Sequence, residues 1–359
     1  MKKIIFVLCA VALLGMASCS KEEVTPTNNG GEEPVPGPGN DTIPNPGNDT
    51  IPVIVLDQEG FYAPGKRILV VAENGTNVES WIWQDNRLTA VNNISTGEAR
   101  SSFTYTSDGR VQTVALAGES NIDMVGDMLN GTFAVDYTGD RINKFTLTRN
   151  AVQLAEAQLS RNTSGKVNHI GLTLNDAVVL PMVNNIIAQV AGSSSNIPAF
   201  TLSATTGSID FSWAANNVVQ ARLNVGINAS TTKGAIMNSA LANYIGSISA
   251  YLTYLPDNTP IVFNITISDT ADYEYDSQNN PFRHFLGQID ISTLSANNII
   301  LESHSAGATI KAGLSASLMI PLFNYPLRQG TTTYTYTYEN NFPATITASD
   351  GTVRGYLYQ

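Results

Sequence analysis

Cysteine is nearly missing from this chain: Cys9 and Cys19 are the two it has, and none follows residue 19. Disulfides, cysteine-zinc sites and a cysteine nucleophile are therefore excluded from everything downstream. Charge is scarce as well. Only 14% of the 359 residues are charged, against about a quarter in ordinary globular proteins. The balance is acidic, with 19 basic and 30 acidic residues for a formal charge of −11. No basic cluster stands after residue 21, so no nucleic-acid partner is expected. Long apolar runs are missing too. The longest, Ile4–Gly15, is shorter than the ~20 residues a membrane-spanning helix needs. The three histidines, His169, His284 and His304, stand apart with no metal-ligand spacing. No His-Glu-x-x-His pair, Gly-x-Ser-x-Gly elbow or phosphate loop is present, so neither metal nor cofactor is expected.

What is there begins with a three-part leader. Lys2 and Lys3 precede the apolar run, and the small residues Ala17 and Ser18 precede Cys19. This is the layout of a signal peptide over residues 1–19. Met16-Ala17-Ser18-Cys19 resembles the lipobox of bacterial lipoproteins, which implies that Cys19 is lipidated and anchors the chain to a membrane. Ser20-Lys21-Glu22-Glu23 resembles the export signal of Bacteroidota surface lipoproteins. That resemblance implies the outer membrane as partner, and a face turned to the cell exterior.

Residues 20–52 hold seven prolines, five glycines and six acids against one lysine. So little apolar surface cannot offset the entropy of ordering, and a disordered tether is expected. Within it, Gly39-Asn40-Asp41-Thr42-Ile43-Pro44 returns as Gly47-Asn48-Asp49-Thr50-Ile51-Pro52. Asp41-Thr42-Ile43 and Asp49-Thr50-Ile51 resemble the O-glycosylation acceptor of the same bacterial group, which implies glycans on Thr42 and Thr50. The other reading is a duplicated spacer. Asp269-Thr270-Ala271 fits that acceptor more loosely.

From residue 53 to 359 the chain reads as a β-rich domain, with Gly192-Ser193-Ser194-Ser195-Asn196 as its best internal break, either a long loop or a boundary between two similar halves, 53–192 and 193–359. One pattern recurs: alternating aromatic or apolar residues, a polar turn, then alternation again. Trp81-Ile82-Trp83 passes Asp85-Asn86 into Leu88 and Val91; Phe103-Thr104-Tyr105 passes Asp108-Gly109 into Val111 and Val114. Phe133 to Tyr137 pass Gly139-Asp140 into Ile142 and Phe145, and Ile209 to Trp213 pass Asn216-Asn217 into Val218. Tyr273 and Tyr275 pass Asn279-Asn280 into Phe282 and Phe285, and Tyr334 to Tyr338 pass Asn340-Asn341 into Ala344. Period-2 alternation sets each aromatic series on one strand face, and the turn residues tolerate positive φ. The expected fold is mainly β: an antiparallel meander of hairpins forming a curved sheet or barrel-like domain, with a few short helices. Ile122–Leu129, Ala177–Val190 and Ala235–Ile248 lack strict alternation and read as short helices or buried strands. Pro181 argues against a long helix in the second.

Phe103 to Val111 is similar to the tyrosine-aspartate hairpin repeats of large bacterial surface proteins, with Tyr105, Gly109 and Arg110 matching and Thr106 standing where Asp is usual. The whole arrangement resembles Bacteroidota surface lipoproteins with a porin-like, hairpin-repeat β domain, a group that brings no activity with it. Trp81, Trp83, Trp213 and the stripe Tyr334, Tyr336, Tyr338 are candidates for a platform on which sugar rings stack; as aromatics in strands they equally suit a core. Asp272, Glu274 and Asp276 alternate on one strand, either as carboxylates for glycoside hydrolysis or as a solvated face. The leading expectation is a lipid-anchored, non-enzymatic surface module that binds glycan or protein. The alternatives are a carbohydrate-active enzyme with paired carboxylates and a membrane-associated barrel.

Overall fold

A computed structural model describes residues 67–117, 130–190, 196–243, 252–283 and 291–359. The leader, Cys19, Ser20 to Glu23, Thr42 and Thr50, residues 122–129, and His284 lie outside them.

Sixteen strands run in chain order: β1 (Ile68–Glu73), β2 (Thr76–Gln84), β3 (Arg87–Asn93), β4 (Ala99–Tyr105), β5 (Val111–Leu116), β6 (Gly131–Thr138), β7 (Arg141–Arg149), β8 (Val152–Arg161), β9 (Val167–Leu174), β10 (Thr201–Ala214), β11 (Asn217–Thr232), β12 (Pro260–Asn279), β13 (Asn297–Gly313), β14 (Met319–Glu339), β15 (Phe342–Ala348) and β16 (Val353–Tyr358). Each pairs antiparallel with the next, and β16 returns to β1, so the sheet closes into a barrel. The hairpin meander expected from the sequence is what folds. Tight turns sit where positive φ is tolerated: Asn74-Gly75, Asp85-Asn86, Asn150-Ala151 and Asn340-Asn341 all turn left-handed.

The sheet continues without a break from β9 into β10, so a single closed barrel takes its strands from both sides of residues 192–196. Three local expectations change. After Asn279-Asn280 the described residues 281–283 form a turn, Phe285 lies outside the described residues, and the next described strand begins at Asn297. The β10–β11 turn falls on Ala215 and Asn216, one residue earlier than expected. Helix α1 (Asp176–Val190) runs fifteen residues straight through Pro181. Asn175 caps it through Oδ1 to the Ala177 amide at 2.9 Å. One missing backbone donor is outweighed by six buried side chains, Val178, Val179, Met182, Val183, Ile186 and Ile187, each worth about 2 kcal/mol. Two further helices among the described residues are short: α2 (Lys233–Met237), capped by Thr232, and α3 (Ile291–Leu294). A 3-10 turn spans Ala240–Asn243.

Strand length divides the barrel. β1 to β9 have 6 to 10 residues and β10 to β14 have 14 to 21. β9 pairs with β10 only from Gly207 to Asp210, and β15 pairs with β14 only from Tyr334 to Glu339. The five long strands therefore project past their neighbours at the end where α1 and α2 connect them. Wall polarity is regular along the projecting parts of β11 to β13. Val225, Ile227 and Ala229 on β11, Phe263, Ile265 and Ile267 on β12, and Ala308 and Ile310 on β13 are buried inside. Phe200 meets Phe263 edge-on, with centroids 5.3 Å apart. The alternate residues point outward and are polar: Asn224, Asn228, Asn264, Thr266, Ser268, Ser305, Thr309. A barrel of this strand number built for a membrane carries its apolar band outside. Here the apolar band is inside.

Candidate functional site

One end of the barrel is built from a repeated side-chain lock. At the turn end of β2, β4, β6, β8, β10, β12 and β14 the register slips by a bulge, just before Trp83, Tyr105, Tyr137, Arg161, Trp213, Tyr275 and Tyr338. A bulge re-aims the next side chain, and on six of these strands that side chain sends a polar tip to the strand behind; on β14 the residue that does so is Tyr336, two positions before Tyr338. Trp83 Nε1 donates to the Ile68 carbonyl at 2.8 Å, Tyr105 Oη to Leu88 at 2.5 Å, and Tyr137 Oη to Val111 at 2.7 Å. Trp213 Nε1 donates to Val167 at 2.7 Å, Tyr275 Oη to Val218 at 2.6 Å, and Tyr336 Oη to Ile299 at 2.6 Å. Tyr358 closes the set on Pro343 at 2.8 Å, and Arg161 substitutes a guanidinium, donating to Ile142 at 2.9 Å.

A cation then covers the ring. Arg67 lies 5.5 Å from the Trp83 centroid, Arg87 5.4 Å from Tyr105, Arg110 4.6 Å from Tyr137 and Lys166 5.1 Å from Trp213. At the last unit Phe342 takes that place beside Tyr358, centroids 6.0 Å apart. Burial pushes the Tyr105 and Tyr356 phenols up to about 12 and raises Tyr336, Tyr338 and Tyr358 too. The phenols thus stay protonated and keep donating. Tyr105 and Arg110, which carry the similarity to tyrosine-aspartate repeats, are lock residues.

This decides where the candidate platform residues lie. Trp81 is buried in the core, 6.4 Å from Phe282. Trp83 and Trp213 spend their indole N–H on the wall and one ring face on a cation. Tyr336 is tied to Ile299. Tyr338 is the exposed one, stacked on Tyr336 at 5.8 Å with its hydroxyl on Asp276. The stripe stays together on β14, while β2 and β10 set the tryptophans elsewhere on the wall. The candidate carboxylates do not face one another across a cleft. Asp272 accepts from Gln220 Nε2 at 2.7 Å on the outer wall, beside exposed Glu274. Asp276 accepts from the Asn298 amide at 3.1 Å and from Tyr338.

Two histidines acquire partners that the sequence did not reveal. His169 Nδ1 meets Asp210 Oδ1 at 2.7 Å, exposed on the outside. His304 Nδ1 meets Asp269 Oδ2 at 3.0 Å inside the barrel, their side chains 1% and 2% exposed. Beside them Arg328 reaches Glu302 at 3.4 Å, and Tyr273 stands edge-on to His304. A His–Asp pair of this kind can serve as a general base, but this one is sealed from any substrate outside. Asp269 is thereby spent inside, and Thr270, its neighbour in the loose acceptor match, lies mid-strand on β12. Among the described residues no three His, Cys, Asp or Glu side chains gather as a metal site.

The outer wall of β10 to β14 holds a continuous uncharged stretch. From Asn224 to Thr232 on β11, Pro260 to Ser268 on β12 and Ser303 to Thr309 on β13, no outward residue is charged. Its amides and hydroxyls bond across strands: Asn264 Nδ2 to Asn228 Oδ1 at 2.9 Å, Thr309 Oγ1 to Asn324 Oδ1 at 3.0 Å, and Ser303 with Thr331 at 3.1 Å. No family model and no curated protein matches this sequence.

Proposed function

We propose that this chain is a lipid-anchored surface module that binds neutral glycan, without catalysis, along the outer wall of β10 to β14. The observation that carries the reading is the uncharged array of side-chain amides and hydroxyls on that wall. Sugar hydroxyls are matched by groups that both donate and accept, and Asn, Ser and Thr do both. Regular strand spacing, about 4.8 Å, repeats those groups along and across the sheet. The polar outside suits a barrel held in water beside a membrane. A closed antiparallel barrel, with no helix among the described residues long and apolar enough to cross a bilayer, is compatible with an outer-membrane protein. Lipidation at Cys19, outward export by Ser20 to Glu23 and glycans on Thr42 and Thr50 complete the proposal and rest on the sequence resemblances.

Expected from this reading is binding of the mature chain, with Cys19→Ser to prevent acylation, to neutral oligosaccharides on a glycan array. Asn224→Ala, Asn228→Ala and Asn264→Ala together should weaken it at least tenfold, since each net hydrogen bond is worth about 1 kcal/mol. Silence on every neutral glycan, or equal binding by the triple variant, rejects the proposal.

A further inference from the structure

At the end opposite the aromatic lock, polarity reverses. Tyr254 is 90% exposed, Leu318 69%, Leu314 46%, Met237 42% and Ile320 40%. All five fall in or beside two connections, β11–β12 and β13–β14, whose strands meet where Val262 opposes Gly313. The β13–β14 hairpin stands out in composition. Residues 303–338 contain no acid in a chain of net charge −11, and residues 312–327 carry no charge at all. Exposed Lys311 stands just before that uncharged run. The turn itself satisfies its own polar groups. Leu318 N donates to the Ser315 carbonyl at 3.1 Å, and the Ser315 and Ser317 hydroxyls pair at 3.0 Å. A Cβ on Gly313 would meet the Leu318 carbonyl at 1.8 Å, so glycine is required for the turn to close this tightly.

We infer that the β13–β14 hairpin tip inserts into a lipid surface, with Leu314, Leu318 and Ile320 among the acyl chains and Lys311 at the headgroups. Exposed Asp257 of the neighbouring β11–β12 connection is paired with Lys233 at 2.8 Å, and residues 303–338 of the hairpin itself carry no acids. Their absence removes repulsion from anionic headgroups, and the internally bonded turn lowers the cost of leaving water. A lone hairpin tip gives shallow, reversible insertion. Reach allows it even with the chain anchored at Cys19. The 47 residues between Cys19 and Arg67 extend to at most about 160 Å, more than twice the ~70 Å of the longest strand. The described chain begins at Arg67, at the lock end, and that length still exceeds the barrel's full height.

The insertion needs no acyl chain, so it is tested apart from lipidation and apart from glycan binding. The mature chain with Cys19→Ser is floated with phosphatidylethanolamine–phosphatidylglycerol vesicles. It should rise with them, and Leu314→Ser, Leu318→Ser and Ile320→Ser together should cut the bound fraction at least tenfold at unchanged thermal midpoint. In the otherwise thiol-free chain, Ser317→Cys carrying an environment-sensitive fluorophore should shift to the blue and be quenched by acyl-chain nitroxides. The same label on Ser305→Cys should not respond. No flotation with a silent Ser317 label overturns the inference. So does a blue shift without vesicles that follows protein concentration, which would make a second copy the occupant.

Discussion

Deleting Val353–Gln359 should abolish cooperative unfolding and leave a chain that aggregates in detergent-free buffer. β16 is hydrogen-bonded on both sides, to β1 from Ile68↔Tyr358 to Glu73↔Arg354 and to β15 at Thr345↔Gly355 to Thr347↔Val353. It also carries the Arg354–Glu73 pair at 3.1 Å, the Tyr358 bond to Pro343, and Tyr356, whose ring lies 5.7 Å from Phe282. Phe282 in turn touches Trp81, so the deletion reaches across the core. Its absence leaves two unpaired edges in a protein that otherwise closes on itself, a template for intermolecular pairing. Core residues Ile68 and Val71 lose their cover at about 2 kcal/mol each, in addition to two broken ladders. The sum is comparable with the 5–15 kcal/mol that holds an ordinary domain together. Thermal circular dichroism and size exclusion check it; a transition like that of the full chain would contradict it.

His304→Leu should destabilise the barrel by about 3–5 kcal/mol, and adding Asp269→Leu should restore most of that loss. The pair is buried, and truncating one partner strands a carboxylate where water cannot solvate it. Replacing both with aliphatic side chains removes the stranded polar group. The flanking positions, Ala271 and Gly330, lie opposite His304 on the two neighbouring strands and leave room for leucine. Urea unfolding of both single variants and the double variant gives the coupling directly. Equal destabilisation by the single and double variants would show that the pair is not the source of the effect.

The contrast between these two sites shows what the sequence could reveal. Alternation in Phe133 to Tyr137 and turn chemistry at Asp85-Asn86 or Asn340-Asn341 are local, and five of the six hairpins read from them are present. Phe282 after an Asn-Asn pair looks like the start of a strand, whereas it serves as a plug against Trp81 and Tyr356. Pro181 misled because a local rule was outweighed by six buried contacts. Closure was not local at all: Glu73 and Arg354 pair across almost the whole described chain. His304 and Asp269 lie 35 residues apart on adjacent strands, with no fixed spacing to reveal them. The lock did leave a trace. A basic residue before an apolar one at a strand start, as in Arg87-Leu88 or Arg110-Val111, recurs with an aromatic at the end of the following strand. Tyr105, Gly109 and Arg110 carry that signal, but in the sequence it shows only hairpin repetition, because the polar tip reaches one strand back.

Everything proposed for this barrel depends on which face of its wall meets water. In the thiol-free mature chain, single cysteines at Asn224, Ser268 and Ser305 should react rapidly with a charged maleimide in buffer without detergent. Cysteines at Val225, Ile267 and Ala306, one residue along each strand, should stay unlabelled until denaturant is added. Rapid labelling of the second set with protection of the first, or a protein that dissolves only in detergent, would contradict it.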